Sequence, residues 1–337
     1  MFLRQLEYLV ALAQEKHFGR AALHCNVSQP SLSNAIKQLE VELSTPIVLR
    51  QKRFQGFSPE GQRIVEWSKR ILADRDGMLQ ELSILRKSLT GRLRLGAMPT
   101  STPVLPYINR RFLDVHPGVR MDVSFLGLEE MRLKLINFEL DAGITYIDQK
   151  QPASLISFPL YKEHLSLLVP KDSRFVGQSR MTWAEAAELN LCLLPPHMHE
   201  RQIIDSVFAS VGKTPTPQIE SDSIVNLAFH TMYSGAITIV PSHFSLVVGG
   251  FPGTRIVKLV NPSVVREVGL IWVDGDPLLP MANALLATLK ALCASGELAS
   301  WVGQKPFLRS VSKPSPRERQ VRKDPRPPLV TSTAQGI

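Results

Sequence analysis

A short helix with one polar face, near the start of the chain, is the strongest candidate for chemistry. The segment 27–40 reads VSQPSLSNAIKQLE, and Pro30 falls in its first helical turn, where the missing N–H costs nothing. Asn34 and Lys37 point away from the apolar side of this helix, and Ser33 lies on the flank. Hydrogen-bonding side chains and a cation on the outward face of a short helix suit the major groove of DNA. The apolar side is predicted to be one buried stripe, formed by Leu32, Ile36, Leu39 and Leu43.

Two further helices are predicted to position this one. Apolar residues between Phe2 and Ala13 are spaced as the buried face of a first helix, and a second helix begins at Phe18. Ala21 and Ala22 allow two helix axes to approach closely. Taken alone, the polar-faced helix would be interpreted as an ordinary amphipathic surface helix. Three short helices with this turn chemistry instead favour a DNA-binding helix-turn-helix.

A basic hairpin follows the three helices. The segments 47–50 and 54–57 are predicted to be short strands, joined by the turn Gln51-Lys52-Arg53. Arg50, Lys52 and Arg53 could contact phosphate or reach into a minor groove. A solvated hairpin tip is the alternative. We favour the DNA-binding wing, because it directly follows the polar-faced helix.

Residues 1–62 resemble the LysR-type transcriptional regulators, and a looser resemblance continues to about residue 297. The chain departs from the family pattern at Gly19, Ser44 and Val48-Leu49, none of which removes the polar face of the third helix. The residues that carry the resemblance are Phe18, Arg20, Ala21, Ala22, Leu23, Val27, Ser28, Gln29, Pro30, Ser31, Leu32, Ser33, Ile36, Leu39, Glu40, Leu43, Arg50, Arg53 and Ser58-Pro59-Glu60-Gly61.

The predicted DNA contacts fall into two groups, with double-stranded promoter DNA as the expected partner. The candidates for base edges or the groove are Gln29, Pro30, Ser33, Asn34 and Lys37, and the candidates for phosphate are Arg20, Ser31, Arg50 and Arg53. Residues 1–59 form the predicted winged helix-turn-helix domain.

Residues 60–90 are predicted to be a linker helix. Ile64, Ile71, Met78 and Leu85 recur at intervals of seven, which favours pairing with another helix. Packing on the rest of its own chain is the alternative. The resemblance implies that such helices pair between subunits, so we expect a homodimer that assembles to a homotetramer.

From residue 91 the pattern changes to strands alternating with helices, which predicts an α/β fold with parallel sheets. The resemblance implies a two-lobed effector domain like a periplasmic binding protein, over residues 91–304. One lobe is expected to comprise 91–162 plus 267–304, and the other 163–266.

Ligands of two-lobed α/β domains bind in the crevice at the carboxyl ends of strands. Three hydroxyl residues there precede a helix, where N–H groups and the helix dipole favour an anion; helix capping is a compatible alternative. The resemblance places the effector on these residues. The predicted effector is a small carboxylate, although neutral or sulfur compounds stay open. The candidate residues are Thr100, Ser101, Thr102, Tyr146, Met198, His199 and Arg201.

The composition limits the remaining functions. The 337 residues carry a net charge of +9. More than half of that charge lies in the Pro-rich tail 305–337, which is predicted to be disordered. No apolar run is long enough to span a membrane, and no signal peptide is recognised, so a cytoplasmic protein is expected. The isolated cysteines Cys25, Cys192 and Cys293 fit a reducing compartment.

No cofactor, metal or catalytic motif is recognised. His197 and His199 lie near Cys192, but no third ligand follows at a recognisable spacing. We therefore expect a ligand-responsive transcription factor that is not an enzyme, with RNA polymerase as a further partner. Two alternatives stay open: a cytosolic solute-sensing module acting through protein contacts, and an enzyme on the two-lobed scaffold.

Overall fold

The computed structural model describes residues 1–50, 54–86, 88–147, 151–171, 175, 177–244, 252–275 and 277–303. The candidates Lys52 and Arg53, the side chain of Arg50 and the basic tail lie outside the described residues.

Three helices and a two-stranded hairpin form the N-terminal unit. Its elements are α1 (Leu3–Glu15), α2 (Phe18–His24), α3 (Gln29–Glu42), β1 (Val48–Arg50) and β2 (Phe54–Phe57). Leu9, Leu32 and Ile36 are fully buried where the helices meet. Leu43 was predicted to extend the buried stripe and is instead 38% exposed. The reason is that α3 ends at Glu42, so Leu43 is the C-cap and the chain turns away there.

Local hydrogen bonds define where these helices begin. Ser28 caps α3, because its hydroxyl accepts the N–H of Ser31. His17 caps α2, because its Nδ1 accepts the N–H groups of Gly19 and Arg20. The histidine thus supplies a cap beside the position where Gly19 departs from the family pattern.

The linker helix α4 spans Pro59–Leu85. Ser58 caps it by accepting the N–H of Gly61 at 2.8 Å. Val65 is buried in the core of the N-terminal unit, whereas Met78 and Leu82 farther along are 55% and 45% exposed. The first half of α4 therefore packs on the N-terminal unit. The second half contacts the C-terminal part of the chain, where Oε1 of Gln80 accepts the N–H of Met281 at 3.2 Å, and also presents exposed apolar side chains.

The part of the chain after α4 is built around one sheet of mixed direction. Its strands run in the order β4-β3-β5-β12-β6-β11-β7, and β10 also pairs with β6. The strands of this part of the chain are β3 (Gly91–Ala97), β4 (Val119–Phe125), β5 (Ala142–Tyr146), β6 (Leu155–Pro170), β7 (Arg180–Thr182), β8 (Cys192–Leu193), β9 (Ile219–Glu220), β10 (Thr238–Pro241), β11 (Thr254–Val260) and β12 (Val265–Val273). Of these, β8 and β9 pair with each other in a separate two-stranded sheet. The helices are α5 (Leu105–Val115), α6 (Leu128–Ile136), α7 (Trp183–Ala186), α8 (His199–Ser210), α9 (Ile224–Ser234), α10 (Pro280–Ala294) and α11 (Glu297–Gly303).

The strand β6 connects two lobes. Its first half pairs with β12 in lobe I, which also contains β3, β4 and β5. Its second half pairs with β10 and β11 in lobe II, which also contains α8 and α9. The prediction of purely parallel sheets was incomplete: β3 is parallel to β4 and β5, but β12 is antiparallel to both its neighbours. The two-lobed α/β architecture with an all-α N-terminal part is confirmed.

Within the described ranges, no single helix is long and apolar enough to cross a membrane. The helices α10 and α11 pass that test only as a pair bent by 71°, by length and composition alone. Leu285 and Leu289 of α10 are fully buried against lobe I.

Candidate nucleic-acid interface and effector cleft

The polar face of α3 is open to solvent. Gln29, Pro30, Asn34 and Lys37 are exposed, and Ser33 is half-buried on the flank. Lys37 forms no ion pair with another described residue. The cation is therefore available to an external anion.

Two of the phosphate candidates are engaged within the chain. The hydroxyls of Ser31 and Ser28 share a hydrogen bond of 2.8 Å at the start of α3. Arg20 donates from Nη2 to the carbonyl oxygen of Glu15 at 2.6 Å, yet its side chain is 64% exposed. Arg20 lies in the first turn of α2 and Ser31 in the first turn of α3. A part of the Arg20 side chain stays open to solvent.

Glu40 fixes the hairpin to α3. Its Oε1 accepts the N–H groups of Ile47 and Val48, both at 2.9 Å. The carboxylate thus satisfies two backbone donors at the start of β1. The hairpin is placed directly after the helix that carries the polar face.

A cavity of about 650 Å³ lies between the lobes. The first turns of α6, α8 and α9 all line this cleft cavity. Ser223 caps α9 with its side chain, whereas within the described part of the chain neither α6 nor α8 has a side-chain cap. The cavity is lined by Pro99, Thr102, Phe125, Leu126, Gly127, Leu128, Glu129, Glu130, His197, Met198, His199, Gln202, Asp222, Ser223, Ile224 and Val225.

The structure divides the predicted effector residues into two sets. Thr102, Met198 and His199 line the cleft cavity. Thr100 and Ser101 are buried behind it, and the hydroxyl of Ser101 donates to the carbonyl oxygen of Met98 at 2.6 Å. Tyr146 is also buried, with its ring centroid 6.2 Å from that of His199.

Arg201 was predicted to balance an anionic effector, and it is held elsewhere. Its guanidinium donates to the carbonyl oxygen of Leu194 at 2.7 Å and to Asp205 and Glu220, each at 2.8 Å. Burial acts to lower the pKa of Arg201, but the hydrogen bonds to Glu220 and Asp205 raise it above its ordinary value. The side chain is 7% exposed and is not among the residues that line the cavity.

Two buried carboxyl groups behind the cleft cavity were missed from the sequence. Glu163 is fully buried and accepts a hydrogen bond from the hydroxyl of Tyr146, and Glu200 is 5% exposed. Burial raises the pKa of Glu163 to about 8; the hydrogen bond from Tyr146 acts to lower it, and Glu200 raises it further. Burial also raises the pKa of Glu200. The sequence signal for Glu163 was a carboxylate within the mostly apolar strand β6.

The three cysteines Cys25, Cys192 and Cys293 are free thiols. Burial raises the pKa of Cys192 to about 11, and burial also raises the pKa values of Cys25 and Cys293. Cys192 donates to the carbonyl oxygen of Leu227 in lobe II, and Cys293 donates to that of Leu160. These surroundings do not produce a reactive thiolate. In the part of the chain that is described, no group of three or more His, Cys, Asp or Glu side chains could hold a metal ion.

Comparison with known families assigns both parts of the chain. Residues 3–62 match the bacterial regulatory helix-turn-helix protein model of the lysR family, and residues 86–294 match the LysR substrate binding domain. The chain is a LysR-type transcriptional regulator.

Curated relatives of this regulator align over nearly their whole length. The HTH-type transcriptional regulator XapR of Escherichia coli is 30% identical over 295 residues, which cover 85% of this chain and 97% of XapR. A hydrogen peroxide-inducible genes activator of Haemophilus influenzae is 28% identical over 280 residues, which cover 82% and 92% of the two chains.

A solved structure shares the architecture. A full-length OxyR variant from Pseudomonas aeruginosa has a TM-score of 0.66 and 26% identity, and the match covers 86% of this regulator and 97% of that chain. The regulator therefore combines a DNA-binding head with an effector-binding domain, as LysR-type regulators do.

Proposed function

We propose that this regulator binds a promoter through the exposed face of α3 and the adjoining hairpin, and that a small carboxylate in the cleft cavity alters that binding. The exposure of Asn34 and Lys37 supports the first part. The cavity between the lobes supports the second, because a ligand there contacts α6 of lobe I and α8 of lobe II together. A ligand shifts the arrangement of the lobes only if it binds one arrangement better than the other.

The carboxylate proposal rests on the free helix ends at the cavity. The first N–H groups of a helix need acceptors, and the positive end of the dipole favours an anion. Among the described residues, α6 and α8 receive no side-chain cap, and both begin at the cavity. A ligand carboxylate would supply the missing acceptors. Arg201 takes no part in this proposal, because its side chain is already occupied.

The carboxylates that line the cavity differ in how strongly they would repel an anionic ligand. Glu129 pairs with Arg132 at 2.7 Å, and Glu130 lies 3.7 Å from Lys134. Their charges are therefore partly compensated from outside the lining. Asp222 is the remaining carboxylate of the lining, and it lies beside the cap of α9.

A thiol-based response to peroxide is less well supported for this chain. The relative from Haemophilus influenzae is named as a hydrogen peroxide-inducible genes activator. In this regulator, burial keeps the three thiols protonated, and a thiolate is the form of cysteine that reacts. We therefore favour reversible ligand binding in the cleft cavity.

The quaternary structure belongs to the same proposal. The apolar surface on the second half of α4 would pair with a second subunit and place two α3 helices on one twofold DNA site. Dimers would assemble to a tetramer in the cytoplasm. Effector binding would then change the spacing of the DNA-binding heads and the access of RNA polymerase.

A paired ligand screen tests the effector class. Small carboxylates, each matched with its amide, would be added to the full-length regulator while the Tm and the affinity for genomic promoter fragments are measured. We expect at least one carboxylate to raise the Tm and change the affinity, while its amide does neither. A screen in which amides act as well as the acids would contradict the proposal.

A variant at the start of α6 sharpens this test. A β-carbon on Gly127 would meet nothing within 4 Å, so side chains are tolerated there. In Gly127→Asp the new carboxylate caps α6 itself and repels a ligand anion, so we expect ligand affinity to fall at least about tenfold. Gly127→Ala is the control and should keep the response. Equal affinity in both variants would remove the end of α6 from the site.

A further inference from the structure

A buried hydrogen bond joins two strands of lobe I behind the cleft cavity. The hydroxyl of Tyr146, at the end of β5, donates to Oε1 of Glu163 in β6. Tyr146 is 2% exposed, and Glu163 is not exposed at all. The second oxygen of Glu163, Oε2, has no hydrogen-bond partner within the described ranges. A buried carboxylate in this setting would lack both water and a full set of donors, and that is costly.

A second buried carboxyl group faces this pair from the other lobe. Glu200 lies in the first turn of α8, and its Oε2 is likewise buried without a partner among the described residues. Its charge acts on both Glu163 and Tyr146, and it raises the pKa of each. Glu163 and Glu200 are thus two acids, placed on elements that belong to different sides of the cleft.

The other groups around Glu163 do not neutralise both acids. Arg266 of β12 pairs in register with Glu163, and its guanidinium carbon lies 5.6 Å from the centroid of the Tyr146 ring. The other titratable neighbours are Tyr161, His199 and His243. The charge of Glu163 raises the pKa of Tyr161, and His243 lies against Tyr161. His199 lies against Tyr146 and acts to lower the pKa of Glu200. Among the described residues, Arg266 is the permanent positive charge that acts to lower the pKa of Glu163.

We propose that Glu163 and Glu200 form a proton-controlled latch between the two lobes. When Glu163 holds its proton, the first turn of α8 stays beside β5, where the ring of His199 lies 6.2 Å from that of Tyr146. When Glu163 releases the proton to solvent, its negative charge repels Glu200 and α8 moves away. This proposal concerns the effector domain alone and depends neither on the identity of the effector nor on DNA binding.

The chemistry of the pair sets the pH window. Two carboxylates at close range cannot both ionise easily, so one of them keeps a proton to a higher pH. With burial raising the pKa of Glu163 to about 8, its ionised fraction rises from about one tenth at pH 7 to about nine tenths at pH 9. This change in the charge of Glu163 falls in a pH range where surface carboxylates are already fully ionised.

The latch acts on the wall of the effector site. His199 and Gln202 of α8 line the cleft cavity, and Glu200 lies between them in the chain. Movement of α8 would therefore change the cavity as well as the contact between the lobes. Proton concentration would therefore act on the same helix that lines the cleft cavity.

Hydrogen–deuterium exchange on the full-length protein tests the latch. Exchange of the amides at the start of α8 would be measured from pH 6.5 to 9.5, after correction for intrinsic exchange. We expect exchange in the wild type to rise about tenfold between pH 7 and 9, in proportion to the ionised fraction of Glu163. In Glu163→Gln the rise should vanish, because glutamine cannot ionise but still accepts from Tyr146. An unchanged rise in Glu163→Gln would overturn the proposal.

Two further variants keep the test decisive if Glu163→Gln folds poorly. In Glu200→Gln the repelling charge is absent, so the exchange transition should shift to lower pH and become smaller. Glu267→Gln removes an exposed carboxylate next to Arg266 and should behave as the wild type. A transition unaffected by Glu200→Gln, or equally affected by Glu267→Gln, would contradict a specific Glu163–Glu200 pair.

Discussion

Gly61 and Ile47 approach so closely that a β-carbon on Gly61 would overlap the carbonyl oxygen of Ile47. That oxygen also accepts the N–H of Ser58 at 3.0 Å, and Ser58 caps α4. The contact therefore fixes the hairpin of the DNA-binding head to the start of the linker helix.

Gly61→Ala should separate the hairpin from α4. Backbone atoms rather than a flexible side chain occupy the space, so we expect the head to lose about 1–3 kcal/mol of unfolding free energy. Urea unfolding of the full-length protein measures this. Gly303→Ala is the control, because its β-carbon would meet nothing within 4 Å. If both variants unfold at the same urea concentration as the wild type, the close contact does not constrain the junction.

Lys37→Ala should weaken promoter binding without unfolding the protein. Lys37 is exposed on α3, so its removal costs little stability but loses a charged contact to DNA. We expect an affinity loss of roughly 1–3 kcal/mol, measured by gel-shift titration. Arg120→Ala, which removes an exposed charge from lobe I, matches the change in net charge. An equal loss in Arg120→Ala would mean that total charge, rather than the position of Lys37, determines binding.

Arg201→Met should lower stability and spare ligand binding. The guanidinium makes three hydrogen bonds to Leu194, Asp205 and Glu220, and each bond to a charged group contributes about 1.5–3 kcal/mol. We expect a loss of at least about 2 kcal/mol by urea unfolding. Arg180→Met, at an exposed position, should change little. The opposite pattern, with normal stability and lost ligand affinity, would return Arg201 to the effector site.

Leu82→Glu should break the proposed dimer. Leu82 is 45% exposed on the apolar second half of α4, where a carboxylate would be buried by a partner helix. We expect analytical ultracentrifugation to show a smaller species than the wild type at equal concentration. Val115→Glu places the same charge at a 63% exposed position of α5 and serves as the control. A Leu82→Glu protein of wild-type size would contradict pairing through this surface.

Patterns of local spacing predicted most of the architecture. The stripe of Leu32, Ile36 and Leu39 placed α3 correctly, because helix periodicity depends on neighbours in the sequence. The burial of Leu43 was predicted wrongly, since the end of α3 depends on how the chain turns at Ser44, where φ is 48°. Short elements such as β7 and α7 carried too few residues to show a period.

The arrangement of the side chains behind the cleft cavity depends on contacts between residues that are far apart in the sequence. Arg201 was expected to face an anion, but Glu220 comes near it only after β9 and α8 pack in lobe II. Similarly, the meeting of Glu163 with Tyr146 requires β5 and β6 to lie on the two sides of β12. Neither relationship follows from residue spacing along the chain.

Salt dependence of promoter binding tests the central claim most directly. Fluorescence anisotropy of the full-length protein with a labelled promoter fragment would be recorded over a series of salt concentrations. Because phosphate contacts release counterions, the logarithm of the binding constant should fall linearly with the logarithm of salt concentration, and Lys37→Ala should lower the binding constant at every salt concentration. Absence of binding at low salt, or a binding constant that Lys37→Ala leaves unchanged, would contradict DNA recognition through the face of α3.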